Sequence, residues 1–139
     1  ALIMAEIFAS TLELKDWNVA AALKLARTNI ADMPAEISQQ LDAAADFETS
    51  PNGVSLNPIE TLLAVLSIVK DCETTWQAYE RSICAGGDTD TVAALSSALI
   101  ALRNPNSFYE LPFIDQVNWS EIPQAASLIK VLISKRALS

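Results

Sequence analysis

The sequence predicts an all-α fold, a single domain built as a multi-helical bundle of about seven helices. Apolar residues recur at three- and four-residue spacing in nearly every segment, which is the pattern of a helix with one buried face. Only three glycines interrupt this pattern, and no alternation of apolar and polar residues persists long enough to indicate a strand. The 139 residues are enough for one domain and too few for two.

Three helices are predicted before the first long polar stretch. A first helix should cover about Leu2–Leu14. Asp16 is the candidate cap of a second helix, which ends near Ile30. Asp32 is the candidate cap of a third helix, which reaches Ala44. The polar, proline- and glycine-containing residues 48–53 then predict a turn-rich loop.

The middle of the chain predicts three more helices. Asn57-Pro58-Ile59-Glu60 is a strong start signal, with a capping Asn, Pro at the first helical position and an acid able to reach back to the cap. The apolar residues that follow cover more than one face, so this fourth helix should be the most buried of the set. A fifth helix is expected over Trp76–Ala85 and a sixth over Asp88–Leu102, with the glycine pair between them.

The C-terminal part predicts a loop and a last helix. Asn104–Asn118 contains two prolines and several large apolar residues without a stable period, which indicates an irregular lid over the core. An aromatic base-stacking role for this loop is the alternative interpretation. A seventh helix should begin near Ser120-Glu121 and tolerate Pro123 in its first turn.

Composition excludes several classes of function. Nine basic residues against seventeen acidic ones give a net charge of −8, which opposes binding to nucleic acid or to an anionic membrane. The longest apolar run is too short to span a bilayer. The chain has no histidine, so imidazole acids, bases and zinc ligands are absent. Cys72 and Cys84 are too few for a zinc knuckle, and we expect reduced, structural cysteines in a cytoplasmic protein.

The segment that most strongly indicates chemistry is Asp88-Thr89-Asp90-Thr91, which follows Gly86-Gly87 and precedes an alanine-rich helical run. Backbone N–H groups at a helix start attract carboxylates, but one capping acid would suffice. A second acid two residues later, in a loop made compliant by two glycines, allows oxygen atoms to converge on a hard cation such as Mg²⁺ or Mn²⁺. The spacing therefore predicts half of a metal site.

Two other interpretations of this elbow stay open. Either Asp88 or Asp90 is simply the N-cap, and the other acid is a solvated surface charge. A glycine-rich phosphate cradle is the third possibility, but such cradles offer N–H groups and a lysine. Two acids would repel the phosphate here unless a cation bridged them.

The string Ala85–Ala94 closely resembles the C-terminal metal-binding signature of the ADP-ribosylglycohydrolases, the family of the dinitrogenase reductase-activating glycohydrolase type. Its surroundings are also similar: a helix like Leu62–Lys70, a Trp76–Ala85 helix leading into the motif, and a closing stretch like Trp119–Pro123. The Asn52-Gly53 loop resembles the family more weakly. The likeness covers most of the chain but corresponds only to the C-terminal half of a family member.

The resemblance implies an all-helical hydrolase that holds two divalent cations, Mg²⁺ or Mn²⁺, and removes ADP-ribose from modified protein side chains. By position, Asp88, Asp90 and Thr91 would be metal ligands, with Asp90 best placed to bridge both metals. ADP-ribose or an ADP-ribosylated protein would be the partner. The resemblance does not indicate which acceptor side chain is modified.

The chain departs from the family pattern in two ways. The family's other ligands lie in an aspartate-rich motif of its N-terminal half, and a histidine-containing segment binds the nucleotide; this sequence has neither. We therefore expect no activity from this part alone, and self-association through exposed apolar helix faces. Where the family tends to have glycines, this chain has Ser96, Ser97, Ile100 and Arg103, and Arg103 should mark a solvent-facing turn. The alternatives are a non-catalytic binding or structural relative, and a helical interaction domain that resembles the signature by chance.

Overall fold

A computed structural model describes residues 1–116, and this part of the chain is all-helical, which confirms the predicted fold class. The α-helices are α1 (Leu2–Glu13), α2 (Val19–Asn29), α3 (Ala35–Asp42), α4 (Pro58–Val69), α5 (Thr75–Ala85), α6 (Thr89–Arg103) and α7 (Pro105–Tyr109). Short 3₁₀ turns cover Ala43–Ala45 and Ile114–Gln116. None of the helices in 1–116 is long and apolar enough to cross a membrane. The helix predicted from Ser120 lies outside the described residues.

Helix α4 forms the centre of the core, as its two-sided apolar pattern predicts. Eight of its twelve residues are buried, and Val65, Leu66 and Val69 are fully inaccessible to solvent. The helix packs against α5, α6, α3 and the 3₁₀ turn at Ala43–Ala45. Helices α5 and α6 pack closely on each other, and α1 packs on α2 and α6. The elbow between α5 and α6 is thus attached directly to the core.

The predicted caps of α2 and α3 are wrong. Asn18 is the N-cap of α2, because its side chain accepts a hydrogen bond from the N–H of Ala21, whereas Asp16 lies two residues too early. The N-cap of α3 is Pro34, which has no side-chain acceptor, and Asp32 lies outside the helix. A side chain must sit directly before the first turn to reach the N2 or N3 N–H group, so an acid two residues earlier cannot act as the cap.

The start of α4 confirms the predicted cap but not the predicted acid contact. Asn57 accepts a hydrogen bond from the Ile59 N–H at 2.9 Å, and Pro58 occupies the first helical position. Glu60 accepts a hydrogen bond from the Ser55 hydroxyl instead of reaching back to Asn57. The Asn57 N–H is satisfied by the Ser55 oxygen at 3.2 Å, so the serine takes the place that the glutamate would have had.

The region predicted as an irregular lid contains a short helix. Pro105 opens α7 because its fixed φ angle suits a first helical position, and Ser107 binds back to α5. The Thr75 and Ser107 hydroxyls are 2.7 Å apart and buried. Phe113 then packs on Tyr79, with ring centroids 5.2 Å apart. The lid prediction is therefore wrong for residues 105–109, whereas the packing of Phe113 on α5 agrees with the core-covering interpretation.

Arg103 joins the end of α6 to the link between α1 and α2. It is exposed, as predicted, but its guanidinium carbon lies 4.5 Å from the centre of the Trp17 ring. Its Nη1 donates to the Val69 carbonyl at 3.4 Å. The Trp17 ring nitrogen in turn donates to the buried Ser10 hydroxyl oxygen at 2.8 Å. The arginine therefore contributes to packing as well as to surface charge.

Candidate functional site at the start of helix α6

The elbow between α5 and α6 is held in place by a two-loop clasp, formed by Gly53-Val54 and Gly86-Gly87-Asp88. The Val54 N–H donates to the Gly86 carbonyl at 3.1 Å, and the Asp88 N–H donates to the Val54 carbonyl at 2.9 Å. These two bonds form an isolated parallel bridge between Val54 and Gly87. Val54 itself is buried among the core residues, so the clasp fixes the backbone of Asp88 relative to α4.

The clasp explains why all three glycines of the chain lie here. Gly53, Gly86 and Gly87 have φ angles of 82°, 72° and 73°, a region that other residues rarely adopt. A Cβ atom on Gly87 would lie 2.1 Å from the Val54 carbonyl oxygen, and one on Gly53 would lie 2.2 Å from the Gly87 nitrogen. The two loops approach so closely that neither position has room for a side chain.

The clasp presents Asp88 at the N-cap position of α6. No backbone N–H of the helix donates to its side chain. Its Oδ1 instead accepts a hydrogen bond from the Thr91 hydroxyl, at 2.9 Å. Asp88 therefore lies at the N-cap position, as the simple capping interpretation predicts, but its side chain does not accept the backbone hydrogen bond that a cap normally accepts. Its carboxylate is available, together with a hydroxyl oxygen, on the outer face of the elbow.

Asp88 and Thr91 lie at one edge of a cavity of about 580 Å³. The cavity lies where the N-terminal half of α1 meets the starts of α4 and α6. Its wall is mainly apolar and includes Ile3, Met4, Phe8, Ile59, Leu62 and Leu95. A carboxylate and a hydroxyl oxygen thus border an apolar recess that is large enough for a small molecule.

Asp90 is separated from this pair. Helix α6 has already begun at Thr89, and two residues correspond to more than half a turn of a helix, so Asp88 and Asp90 face different sides. Asp90 is exposed and lines a second cavity of about 380 Å³, which lies between α5, α6 and the chain around Phe113. The structure therefore brings Asp88 and Thr91 together, while the bridging role of Asp90 remains a prediction.

The oxygen donors at the elbow that the described residues provide are of the type a hard cation prefers, but they are too few to complete its coordination. Asp88 and Thr91 offer the carboxylate and hydroxyl oxygens that Mg²⁺ and Mn²⁺ prefer. Within residues 1–116, no group of three or more His, Cys, Asp or Glu side chains is placed to hold a metal ion. Octahedral Mg²⁺ needs six oxygens, so two side chains are a partial set that water, a ligand or further protein carboxylates must complete.

The two cysteines lie at opposite ends of α5. Cys72 lies three residues before the helix begins, and Cys84 lies in its last turn. Both are free; Cys72 is buried and Cys84 is exposed. Burial raises the pKa of the Cys72 thiol above its usual range. Cys84 lies two residues before Gly86 on the exposed side of α5, so the structural role predicted for it is not supported by burial. Neither thiol lines the cavity beside Asp88.

Sequence reasoning missed the clasp and the apolar cavity. The clasp had a signal: the three glycines of a 139-residue chain occur only in two short loops, which indicates two tight backbone turns with positive φ. The cavity had none, because its wall combines α1, α4 and α6, whose relative placement no local pattern gives. Comparison with protein-family models, with curated proteins and with solved structures found no match to this chain.

Proposed function

We propose that this chain is the C-terminal, metal-binding part of an ADP-ribosylglycohydrolase-like hydrolase, which removes ADP-ribose from modified protein side chains. The observation that carries the proposal is the paired Asp88 carboxylate and Thr91 hydroxyl, held by the glycine clasp at the edge of a cavity. The signature Ala85–Ala94 also supports the proposal, because it contains both the acidic residues of the elbow and the glycine pair that forms one side of the clasp.

Each residue of the elbow has a specific task in this proposal. Asp88 and Thr91 would hold one divalent cation through oxygen, and the hydrogen bond between them fixes the carboxylate's orientation. Asp90 would contribute to the second cation site. The chemistry supplied at these residues would be that of a divalent cation, which polarises a coordinated oxygen and lowers the pKa of a coordinated water. The remaining ligands would come from a carboxylate-rich segment outside residues 1–116.

Apolar side chains around the cavity support the idea of a covering segment. Leu56, on its wall, has 85% of its surface exposed, and Leu2, which lines an adjoining recess that shares Ile59 with the cavity, has 60% exposed. Large exposed aliphatic side chains beside an apolar recess are typical of a surface that another element covers. In the absence of that element, the same surface favours self-association.

The proposal is tested by assaying the product of the full reading frame for release of ADP-ribose from ADP-ribosylated proteins in Mg²⁺ or Mn²⁺. We expect hydrolysis that chelation abolishes and that the variant Asp88→Asn reduces by more than about tenfold, because a ligand to the metal is lost. Asp46→Asn is the matched control, since Asp46 is exposed and lines neither cavity. Metal-independent release, or equal activity in both variants, would contradict the proposal.

A non-catalytic relative is the second candidate. It is favoured by the position of Asp90, which faces the cavity between α5 and α6 and not the Asp88–Thr91 pair. In such a protein the elbow would only cap α6 and join it to the Gly53 loop. The same assay separates the two candidates, because a structural elbow gives no metal-dependent release of ADP-ribose.

A further inference from the structure

The second cavity, between α5 and α6, has an aromatic side. Tyr79 and Phe113 both line it, and their ring centroids are 5.2 Å apart. Trp76 packs on both rings, with centroid distances of 5.5 Å to Tyr79 and 6.1 Å to Phe113, and so holds them in place. An aromatic ring attracts a cation that lies within about 6 Å of the ring centre. One small cation in this cavity can therefore interact with both lining rings.

Asp90 supplies a negative charge on the same lining. Its side chain is exposed, and no Lys or Arg of residues 1–116 forms an ion pair with it. The other described residues of the lining are uncharged. Residues 1–116 as a whole carry six Lys and Arg against sixteen Asp and Glu, so the field around the cavity also attracts cations.

The lining suits an organic cation. A divalent metal needs about six oxygen ligands, whereas Asp90 is one carboxylate on a mainly apolar lining. An alkylated ammonium ion needs no set of coordinating oxygens, because its charge interacts with one carboxylate and with ring faces. Its alkyl groups would contact Ile83, Ala93 and Leu111. The volume of about 380 Å³ is within the usual range of small-molecule sites.

We propose that the second cavity binds a small alkylated ammonium ion, with Asp90 as the counter-ion and Tyr79 and Phe113 as the aromatic side. The inference goes beyond the proposed hydrolase and does not rest on it, because the Asp88–Thr91 pair borders the other cavity. An ammonium ion bound here would compete with a second metal for Asp90, so experiment can separate the two uses of that carboxylate.

Titration of the isotope-labelled 139-residue chain with choline, followed by NMR, tests the proposal. The neutral probe is 3,3-dimethylbutan-1-ol, which has the shape of choline without its charge. We expect choline to shift the backbone amide signals of Ile83, Ala93 and Ala94 and to saturate in the millimolar range. The alcohol should bind about tenfold more weakly, because it interacts with neither the carboxylate nor the ring faces as a cation does.

Two matched pairs of variants separate the charge from the ring. Asp90→Asn should weaken choline binding about fivefold, whereas Glu80→Gln removes the same charge from an exposed position outside the cavity and should leave binding unchanged. Phe113→Leu keeps an apolar side chain but removes a ring, and should weaken binding about threefold. Tyr109→Leu removes an exposed ring outside the cavity and should have no effect. Unchanged amide spectra verify the fold of each variant.

Three results would overturn the proposal. The first is equal affinity for choline and the alcohol, and the second is an equal loss in Asp90→Asn and Glu80→Gln. The third is a shift of the same amide signals by Mg²⁺ and not by choline, which would assign Asp90 to a metal. The hydrolase proposal depends on Asp88 and is unaffected by any of these failures.

The source of the ammonium group is decided by adding a peptide that contains trimethyl-lysine to the same titration. Tighter binding of this peptide than of choline would support the site as a receptor for a modified protein side chain. Equal or weaker binding would support it as a site for a free ammonium compound.

Discussion

Gly53, Gly86 and Gly87 hold the start of α6 in position, and their roles differ in a way that experiment can separate. Gly86 and Gly87 both have positive φ, but a Cβ on Gly86 would meet its nearest atom at an ordinary 3.5 Å. A Cβ on Gly87 would overlap the Val54 backbone. The carbonyl of Val54 would have to move, and with it the bond that fixes the Asp88 N–H.

We therefore expect Gly87→Ala to destabilise the protein more than Gly86→Ala. Backbone strain should cost about 1–3 kcal/mol in both variants, and the steric overlap should add roughly another 1–3 kcal/mol in Gly87→Ala. Urea denaturation with matched m-values measures both free energies of unfolding. Equal losses in the two variants would show that close contact between the loops does not matter to stability.

Cys72 gives a prediction about pH. Because burial raises the pKa of its thiol, the unfolded chain loses this proton at a lower pH than the folded chain. The stability contributed by the protonated thiol is complete below about pH 8.5, the usual thiol pKa, and is lost as pH rises through the folded pKa. Denaturation between pH 8 and pH 10 should show this decline in the native chain, and Cys72→Ala should show a smaller one. Equal declines would contradict the assignment.

At the scale of single helices, the N-caps show how well the local sequence predicts where a helix begins. Asn57-Pro58 predicts the start of α4 correctly, because cap and proline are adjacent and neither has a competing interpretation. The start of α2 is predicted wrongly, because Asp16 and Asn18 are both good capping residues and only the backbone decides between them. The capping box of Thr74 and Gln77 places the start of α5 one residue before the predicted Trp76.

The corrected cap of α2 is testable by a matched pair of variants. Asn18→Ala removes the acceptor of the Ala21 N–H and should destabilise the protein by about 1 kcal/mol. Asp16→Ala should change the free energy of unfolding by less than about 0.5 kcal/mol, because Asp16 lies outside the helix. Thermal denaturation of the two variants would contradict the account if Asp16→Ala proved the more damaging change.

At the scale of the whole molecule, the described helices other than α7 were predictable and their arrangement was not. Apolar periodicity indicates α1, α4, α5 and α6 and identifies α4 as the most buried, since each is a local property. The cavity beside Asp88 depends on three helices from distant parts of the sequence, and the opposite placement of Asp90 depends on where α6 begins. The position of Asp88 directly before α6 could therefore be predicted from sequence, whereas the separation of Asp90 from Asp88 and Thr91 could not.

Two faces of one elbow thus have different surroundings. The Asp88–Thr91 face borders the apolar recess of α1 and α4, and the Asp90 face borders the groove of α5 and α6. We propose a cation for the first of these faces. Metal binding should consequently depend strongly on Asp88 and also on Thr91, whose hydroxyl would be a ligand and donates a hydrogen bond to that carboxylate.

Titration of the product of the full reading frame with Mn²⁺, followed by electron paramagnetic resonance, tests the central claim most directly. The native chain should bind Mn²⁺, Asp88→Asn should weaken binding by at least about tenfold, and Asp46→Asn should leave it unchanged. Thr91→Val, which keeps the shape but removes the hydroxyl, should give an intermediate loss. Binding that is the same in Asp88→Asn and Asp46→Asn, or absent from the native chain at millimolar Mn²⁺, would contradict the assignment of a metal to this elbow.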